Sequence, residues 1–205
     1  MLKKISLLTF LTLASLNASE SLKPILQMGY DFGGTTLATV ERDNYDYSSV
    51  NKIRAGQGLS LEMGAVVDSP NLELQFLIGY KFDNESASNG DVTWDLIPFT
   101  ALALFKSNRW KFGGGLTYHL NPALEGSFTG YDQNGDYFHD QADDEYENAL
   151  GAVAQMQYRL TNNFSMGIKG TFIEYKLKRD NAVTAQGNTV GVNFSYVFGE
   201  RSRFR

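Results

Sequence analysis

Two histidines, His119 and His139, are the residues of this chain best suited to acid–base catalysis. A histidine of this kind activates a nucleophile only when a hydroxyl or carboxylate partner lies within hydrogen-bonding distance. His119 is followed by Leu120 and Asn121, so it lacks the serine that would complete a His-x-Ser arrangement. The sequence therefore indicates a hydrogen-bonded structural histidine at position 119, and no catalytic residue is assigned.

An acidic segment between residues 132 and 143 has part of the ligand spacing of a calcium-binding loop. Oxygen-bearing side chains occupy its first, third, fifth, ninth and twelfth positions: Asp132, Asn134, Asp136, Asp140 and Asp143. Two diagnostic positions fail, because Tyr137 stands where the sharp turn needs glycine and Asp143 replaces the usual glutamate. A solvated acidic loop is the better interpretation, so neither a metal nor a cofactor is predicted. The lack of cysteine also excludes disulfides and thiolate metal sites.

Seven charged residues occupy polar positions within segments where every second residue is apolar. They are Asp31, Glu62, Glu73, Lys81, Lys111, Arg159 and Lys169. Three are acidic and four are basic, and Asp95 is a possible fourth acid. Their chemistry depends on the elements that carry them.

Eight segments alternate apolar with small or polar side chains, which is the pattern of a β-strand with one apolar face. They span residues 26–33, 58–65, 72–82, 92–105, 110–120, 150–160, 164–172 and 189–198. In the last segment Val190, Val192, Phe194, Tyr196 and Phe198 share one face. The sequence therefore predicts an all-β protein.

The fourth segment breaks the alternation. Trp94 and Leu96 belong to one parity, whereas Phe99, Ala101, Ala103 and Phe105 belong to the other. Pro98 cannot donate a ladder hydrogen bond, so a bulge near Ile97 and Pro98 would shift the register by one residue. A misplaced strand end is the alternative explanation.

The connections between the eight segments alternate in length. Short ones lie at 68–71, 106–108 and 161–163, and long ones at 34–54, 83–91, 121–147 and 178–187. Short turns on one side and long loops on the other are typical of an outer-membrane barrel. The sequence predicts an eight-stranded antiparallel up-and-down transmembrane β-barrel with both termini periplasmic.

A soluble eight-stranded barrel of the lipocalin type is the main structural alternative. Such a barrel would enclose its apolar face around a ligand and expose its polar face to water. Here the polar face is rich in glycine and charge, and the apolar face is rich in aromatic rings that cluster near the strand ends. Two aromatic girdles at the two membrane interfaces account for that clustering better than a lipocalin does.

The N-terminus and the overall charge agree with export. Lys3 and Lys4 precede an apolar stretch from Ile5 to Leu13 that is too short to span a bilayer as a helix, which predicts a signal peptide over 1–18 and one barrel domain over 19–205. The remaining 187 residues contain 16 basic and 23 acidic side chains, a net charge of −7. Nucleic acid is therefore not an expected partner.

These segments resemble the small outer-membrane barrels of the OmpA and OmpX class over the whole mature sequence. The ending Gly191-x-x-Phe194-x-Tyr196-x-Phe198 is similar to the carboxy-terminal signal of that class, although seven residues follow it here. The segment 115–122 also resembles uncharacterised proteobacterial barrel proteins and indicates no activity. The resemblance implies a monomer in the bacterial outer membrane, contacts with lipid and lipopolysaccharide, and recognition of the last strand by the barrel-assembly machinery.

An eight-stranded barrel is narrow enough for its own side chains to fill it. By parity the seven charged residues point into the lumen, where buried charges must be paired, so we expect an internal ion-pair network. The sequence thus favours a non-enzymatic barrel with a filled lumen and acidic, tyrosine-bearing loops for envelope or surface interactions. The loop tyrosines are Tyr45, Tyr47, Tyr131 and Tyr137. A lipid A-modifying enzyme and a narrow porin-like channel are the alternatives.

Overall fold

The computed structural model describes residues 22–44, 47–87, 90–131 and 137–199, which form thirteen β-strands and no helix. A search of the same residues for an apolar helix of bilayer-spanning length finds none. The predicted signal peptide and Tyr45 lie outside the described residues. The division into a signal peptide and a barrel domain therefore stays a prediction.

The strands follow the predicted alternating segments and extend several of them. In chain order they are β1 Leu22–Gly33, β2 Thr36–Asn44, β3 Tyr47–Arg54, β4 Gly58–Asp68, β5 Leu72–Ala87, β6 Gly90–Ser107, β7 Trp110–Tyr131, β8 Tyr137–Glu145, β9 Ala149–Arg159, β10 Phe164–Phe172, β11 Glu174–Leu177, β12 Asp180–Gln186 and β13 Thr189–Val197.

Eight strands pair into a closed antiparallel ring in the order β1, β4, β5, β6, β7, β9, β10 and β13, and β13 returns to β1. The closing pair places Leu26 opposite Tyr196 and Phe32 opposite Val190. Neighbours in the ring follow each other along the chain, so the barrel is up-and-down. The predicted eight-stranded antiparallel architecture is confirmed.

The outer face of the ring carries a continuous apolar belt. Along β13 burial alternates residue by residue: Val190, Val192, Phe194 and Tyr196 are exposed, whereas the polar side chains and Val197 face inward. Exposed members of the belt include Leu26, Met28, Phe32, Leu61, Met63, Phe76, Phe105, Trp110, Phe112, Leu116, Leu150, Ile168, Phe172, Val190 and Phe198. An exposed apolar surface this large requires an apolar environment or partner. The predicted assignment of the two faces is therefore correct for seven of the eight segments.

The four long connections fold as β-hairpins and not as the loops that their sequences predict. The first comprises β2 with β3, and the second comprises residues 83–87 of β5 with residues 90–94 of β6. The third comprises residues 123–131 of β7 with β8, and the fourth comprises β11 with β12. Strand pairing satisfies the backbone groups of these segments. We call these hairpins the extension, and the end of the barrel with the short turns the short-turn rim.

Strand β6 keeps one alternation along its whole length, so the bulge predicted at Ile97 and Pro98 is not in this strand. A register shift does occur at this height, between Asp95 and Ile97. The extra residue lies on the neighbouring strand β7, near Asn121, whose backbone has a φ of 47°. Because β6 alternates without a break, Trp94 and Leu96 point into the barrel, whereas Phe99 points outward.

The interior has a polar layer below a large apolar layer that lies inside the extension. A smaller apolar cluster nearer the short-turn rim consists of Ile25, Val66, Leu77 and Val197. The larger layer, inside the extension, comprises Ile53, Ala55, Val92, Trp94, Leu96, Leu124, Tyr146, Ala149, Ile173, Tyr175, Leu177 and Ala185. The apolar side of the barrel wall therefore differs between the two regions: it faces outward in the belt and inward in the extension.

Candidate functional site in the barrel lumen

Four charged side chains from four strands meet in the polar layer of the lumen. Lys81 Nζ donates to Asp31 Oδ2 at 2.5 Å, and Lys169 Nζ lies 3.2 Å from Glu62 Oε1 and 3.5 Å from Asp31 Oδ2. All four residues are buried. We call Asp31, Glu62, Lys81 and Lys169 the lumen cluster. Two cations face two anions, so the cluster carries no net charge.

Glycines on neighbouring strands leave the space that these side chains occupy. Gly191 lies opposite both Asp31 and Lys169 in the strand register. A Cβ at Gly191 would lie 1.9 Å from Asp31 Oδ1 and 2.6 Å from the carbonyl oxygen of Tyr30. A close approach of this kind requires glycine, so the small residue in β13 helps to position the carboxylate of β1.

A second ion pair lies nearer the short-turn rim. Lys111 Nζ donates to Glu73 Oε1 at 2.9 Å and to Oε2 at 3.0 Å, and Gln75 Nε2 also donates to Glu73. Arg159 lies at the rim, where its Nη2 donates to the carbonyl oxygen of Asn108 at 3.1 Å. Six of the seven residues proposed from the sequence thus form two internal groups, and Arg159 belongs to neither.

Asp95 lies on the outer wall and not in the lumen. Its Oδ2 accepts a hydrogen bond of 2.8 Å from the hydroxyl of Tyr80, which is itself exposed. The position follows from the unbroken alternation of β6, which turns odd-numbered residues outward. The suggestion of a fourth lumen acid is therefore wrong.

His119 joins the lumen cluster to the apolar layer of the extension. Its Nδ1 is 2.7 Å from the hydroxyl of Tyr175, and the two rings stack with centroids 5.9 Å apart. Trp94 packs edge-on against Tyr175 at 5.3 Å. Burial, together with the negative charge of Asp31, raises the pKa of the Tyr175 phenol above its usual value, so this hydroxyl remains protonated.

Sequence reasoning missed the aromatic layer above the cluster, although a signal for it exists. Ile173, Tyr175 and Leu177 alternate one position out of step with Phe172, which faces outward. That change of parity marks the height at which the apolar side of the wall turns inward. No group of three or more metal-ligating side chains occurs in the described part of the chain. Residues 132–136 of the calcium-like pattern lie outside it.

An acidic residue with two lysine partners occupies the short-turn rim. Asp68 Oδ2 accepts a hydrogen bond from Lys23 Nζ at 3.1 Å, and its Oδ1 accepts one from Lys106 Nζ. Burial alone would raise the pKa of the Asp68 carboxyl, but the hydrogen bonds from Lys106 and Lys23 outweigh burial and hold the pKa below its usual value. The ionised carboxylate is therefore the form that the fold stabilises.

Replacing Asp68 by asparagine is expected to reduce stability at neutral pH by at most about 1 kcal/mol, because the pairs are partly exposed. A carboxyl with a lowered folded-state pKa contributes stability above its unfolded pKa of about 3.9, and loses that contribution as the pH falls through the folded pKa. Urea unfolding of the two proteins should therefore differ at pH 7 and converge in acid. A difference that stays constant down to pH 2 would contradict this role for Asp68.

Comparison with known proteins gives matches in structure and none in sequence. No protein-family model matches the chain, and no curated protein matches it either. Among solved structures, the attachment invasion locus protein Ail of Yersinia pestis is 14% identical, with 87% of this chain and 98% of that chain covered and a TM-score of 0.45. Neisserial surface protein A is 13% identical, with 88% of this chain and 98% of that chain covered and a TM-score of 0.41. Outer membrane protein H of P. aeruginosa is 14% identical, with 86% of this chain and 99% of that chain covered and a TM-score of 0.47.

These likenesses concern the fold alone, and the architecture of this chain rests on its own strand pairing. That pairing gives a closed ring of eight antiparallel strands with an apolar outer belt. The resemblance to small outer-membrane barrels that the sequence suggested is thus confirmed at the level of the fold.

Proposed function

We propose that this chain is a monomeric, non-enzymatic protein of the bacterial outer membrane, with a filled lumen and an acidic extension that faces the cell surface. The observation that carries the proposal is the sealed interior behind an apolar outer wall. The belt matches the hydrocarbon of a bilayer, in which a closed barrel leaves no unpaired strand edge. Both termini would then lie on the periplasmic side, with the short turns.

The packing of the interior argues against a channel. The lumen cluster crosses the barrel between four strands, and the aromatic layer around Trp94 and Tyr175 covers it from the side of the extension. Ion pairs join Lys169 to Glu62 and Lys81 to Asp31 within the lumen. An ion would have to break buried ion pairs and displace apolar side chains in order to pass.

The position of His119 argues against a lipid-modifying enzyme. The residue is 3% exposed, and its ring is hydrogen-bonded to a buried tyrosine. A base for acyl transfer must reach its substrate in the membrane, but His119 lies on the inner side of the wall. His119 therefore serves to orient Tyr175 in our proposal.

The charge of the extension limits the partners that it can bind. Segments 83–97 and 121–148 together contain 12 acidic residues and neither lysine nor arginine. Their described residues belong mainly to neighbouring strands of one wall, from β5 to β8. The Ail structure named above is a complex with sucrose octasulfate, a heparin analogue. A polyanion of that kind is a poor partner for this wall, which favours cationic surfaces or divalent ions between the wall and lipopolysaccharide phosphates.

The remaining proposed contacts follow from the belt and from the last strand. Outer-membrane lipid surrounds the belt in this proposal. Strand β13 would present the carboxy-terminal signal to the barrel-assembly machinery before it closes onto β1.

Three measurements test the proposal, two on the purified chain and one on cells. An unheated detergent sample is expected to migrate faster on a gel than a boiled one, because the folded barrel stays compact. Planar bilayers that contain the protein should show no discrete conductance steps, and lipid A from cells with and without the gene should have the same mass. Identical gel mobility in a water-soluble sample would refute the barrel in lipid, conductance steps would indicate a channel, and altered lipid A would indicate an enzyme.

A further inference from the structure

The charges of the described short-turn rim are opposite in sign to those of the acidic wall. Lys23, Lys106, Arg109 and Arg159 lie at this end, and Asp68 is the acidic residue between them. We call the four basic residues the basic rim. Asp68 offsets one of the four charges, so this part of the rim keeps a net charge of +3.

Contacts between the turns make the basic rim one continuous arc. Asp68 joins the side chains of Lys23 and Lys106. The Lys106 amide donates to the carbonyl oxygen of Asn71 at 2.9 Å, which joins two adjacent turns. The Arg159 amide donates to the carbonyl oxygen of Arg109 at 2.7 Å, and this bond extends the arc to β9. The charges are therefore held together by the backbone.

The arc lies directly beside the lower edge of the apolar belt. Arg109 precedes Trp110, which packs against Tyr158 with ring centroids 4.8 Å apart. Phe105, next to Lys106, is 58% exposed. Tryptophan and tyrosine mark the level of lipid headgroups, and lysine and arginine extend their charged ends toward that level.

We propose that the basic rim binds the phosphate groups of anionic phospholipids, such as phosphatidylglycerol, in the leaflet at the short-turn end. The acyl chains of the lipid lie along the belt, and its phosphate accepts hydrogen bonds from Arg109 and Arg159. A guanidinium suits this contact because its planar fork donates two bonds to one phosphate. The inference rests on the proposed membrane location and adds to it the class of lipid and the end of the barrel.

Reconstitution in phosphatidylcholine vesicles with trace spin-labelled lipid tests the inference. The full chain is expected to associate more strongly with labelled phosphatidylglycerol than with labelled phosphatidylcholine. An exposed ion pair between a guanidinium and a phosphate contributes at most about 1 kcal/mol, so Arg109→Gln with Arg159→Gln should reduce the preference by up to about fivefold for each arginine. Double replacement by lysine should retain most of the preference.

The matched control removes two charges from the other end of the molecule. Lys178 and Arg179 are exposed residues of the extension, and Lys178→Gln with Arg179→Gln should leave the preference unchanged. Inorganic phosphate at millimolar concentration should not displace the labelled lipid, because it lacks the acyl chains.

The outcomes separate this inference from the membrane proposal. A wild-type chain that inserts but associates equally with both lipids would overturn the lipid site and leave the barrel in place. Equal losses for the two double variants would show a response to net charge only, which also overturns the site. Displacement by phosphate would assign the rim to a free anion instead. Failure of the wild-type chain to insert at all would refute the membrane location itself.

Discussion

Replacing Lys169 by methionine is expected to lower the free energy of unfolding by about 3–5 kcal/mol, the cost of leaving a buried charge without its partner. Lys169 Nζ lies 3.2 Å from Glu62 and 3.5 Å from Asp31, and its side chain is 10% exposed. Methionine has a similar length, so the change removes the charge and leaves little cavity. Urea unfolding of the protein in lipid vesicles, followed by tryptophan fluorescence and by gel mobility of unheated samples, measures the loss.

A second variant shows whether charge balance is the reason for the loss. Lys169→Met with Glu62→Gln removes one charge of each sign and leaves the pair between Lys81 and Asp31 intact. Replacing a complete buried pair is often close to neutral, so this double variant should recover most of the loss.

An exposed lysine provides the control for the lumen substitution. Lys178 Nζ lies 2.6 Å from Glu145 Oε2, and its side chain is 46% exposed. Lys178→Met should cost no more than about 1 kcal/mol, because water screens the pair. Equal losses for Lys169→Met and Lys178→Met would contradict a buried, charge-balanced cluster in the lumen.

The ring could be predicted from the sequence because each belt strand has one apolar and one polar face. From Val190 to Phe198 every second residue is aromatic or branched, and the structure exposes all five of these residues. The same reasoning places Asp31, Glu62 and Lys169 inside, because each occupies a polar position in its alternating strand. An alternation of period two is a property of the strand alone, so it needs no knowledge of its neighbours.

The partners within the lumen could not be predicted in the same way. Alternation shows that Lys81 and Asp31 both point inward, but their contact also depends on the stagger between β1, β4 and β5. Arg159 shows the limit of parity, because it is placed at the rim by its position near the end of β9. Parity gives the face of a residue, whereas the height along the barrel decides its partner.

The sequence of strand β6 imitates a bulge because the strand crosses both regions of the barrel. In the belt the apolar residues Phe99, Ala101 and Phe105 face outward, and all three are odd-numbered. In the extension the apolar residues Val92, Trp94 and Leu96 face inward, and all three are even-numbered. A change of environment along one regular strand produces the same sequence pattern as a bulge. The place where the parity changes therefore locates the edge of the belt.

Arginine in place of Met63 is expected to lower the stability of the barrel in a bilayer by about 2–4 kcal/mol, the cost of a charge at the membrane midplane. Met63 is 54% exposed and lies midway along β4, opposite Leu26 and Ile78. Leucine at the same position should be tolerated, because it keeps the surface apolar. Folding into vesicles, read from the fraction of the fast-migrating form on an unheated gel, measures the effect.

Two arginine controls separate the lipid face from the other surfaces of the wall. Val183 is an apolar residue of the extension that is 47% exposed, so Val183→Arg enters water and should change stability by no more than about 0.5 kcal/mol. Ser60 is buried in the lumen, and Ser60→Arg should destabilise the barrel through crowding by about 1–3 kcal/mol. The crowding penalty persists in detergent micelles, whereas the penalty at Met63 depends on the depth of hydrocarbon around the belt. If Met63→Arg were tolerated as well as Val183→Arg in a bilayer, the exposed apolar belt would not face lipid.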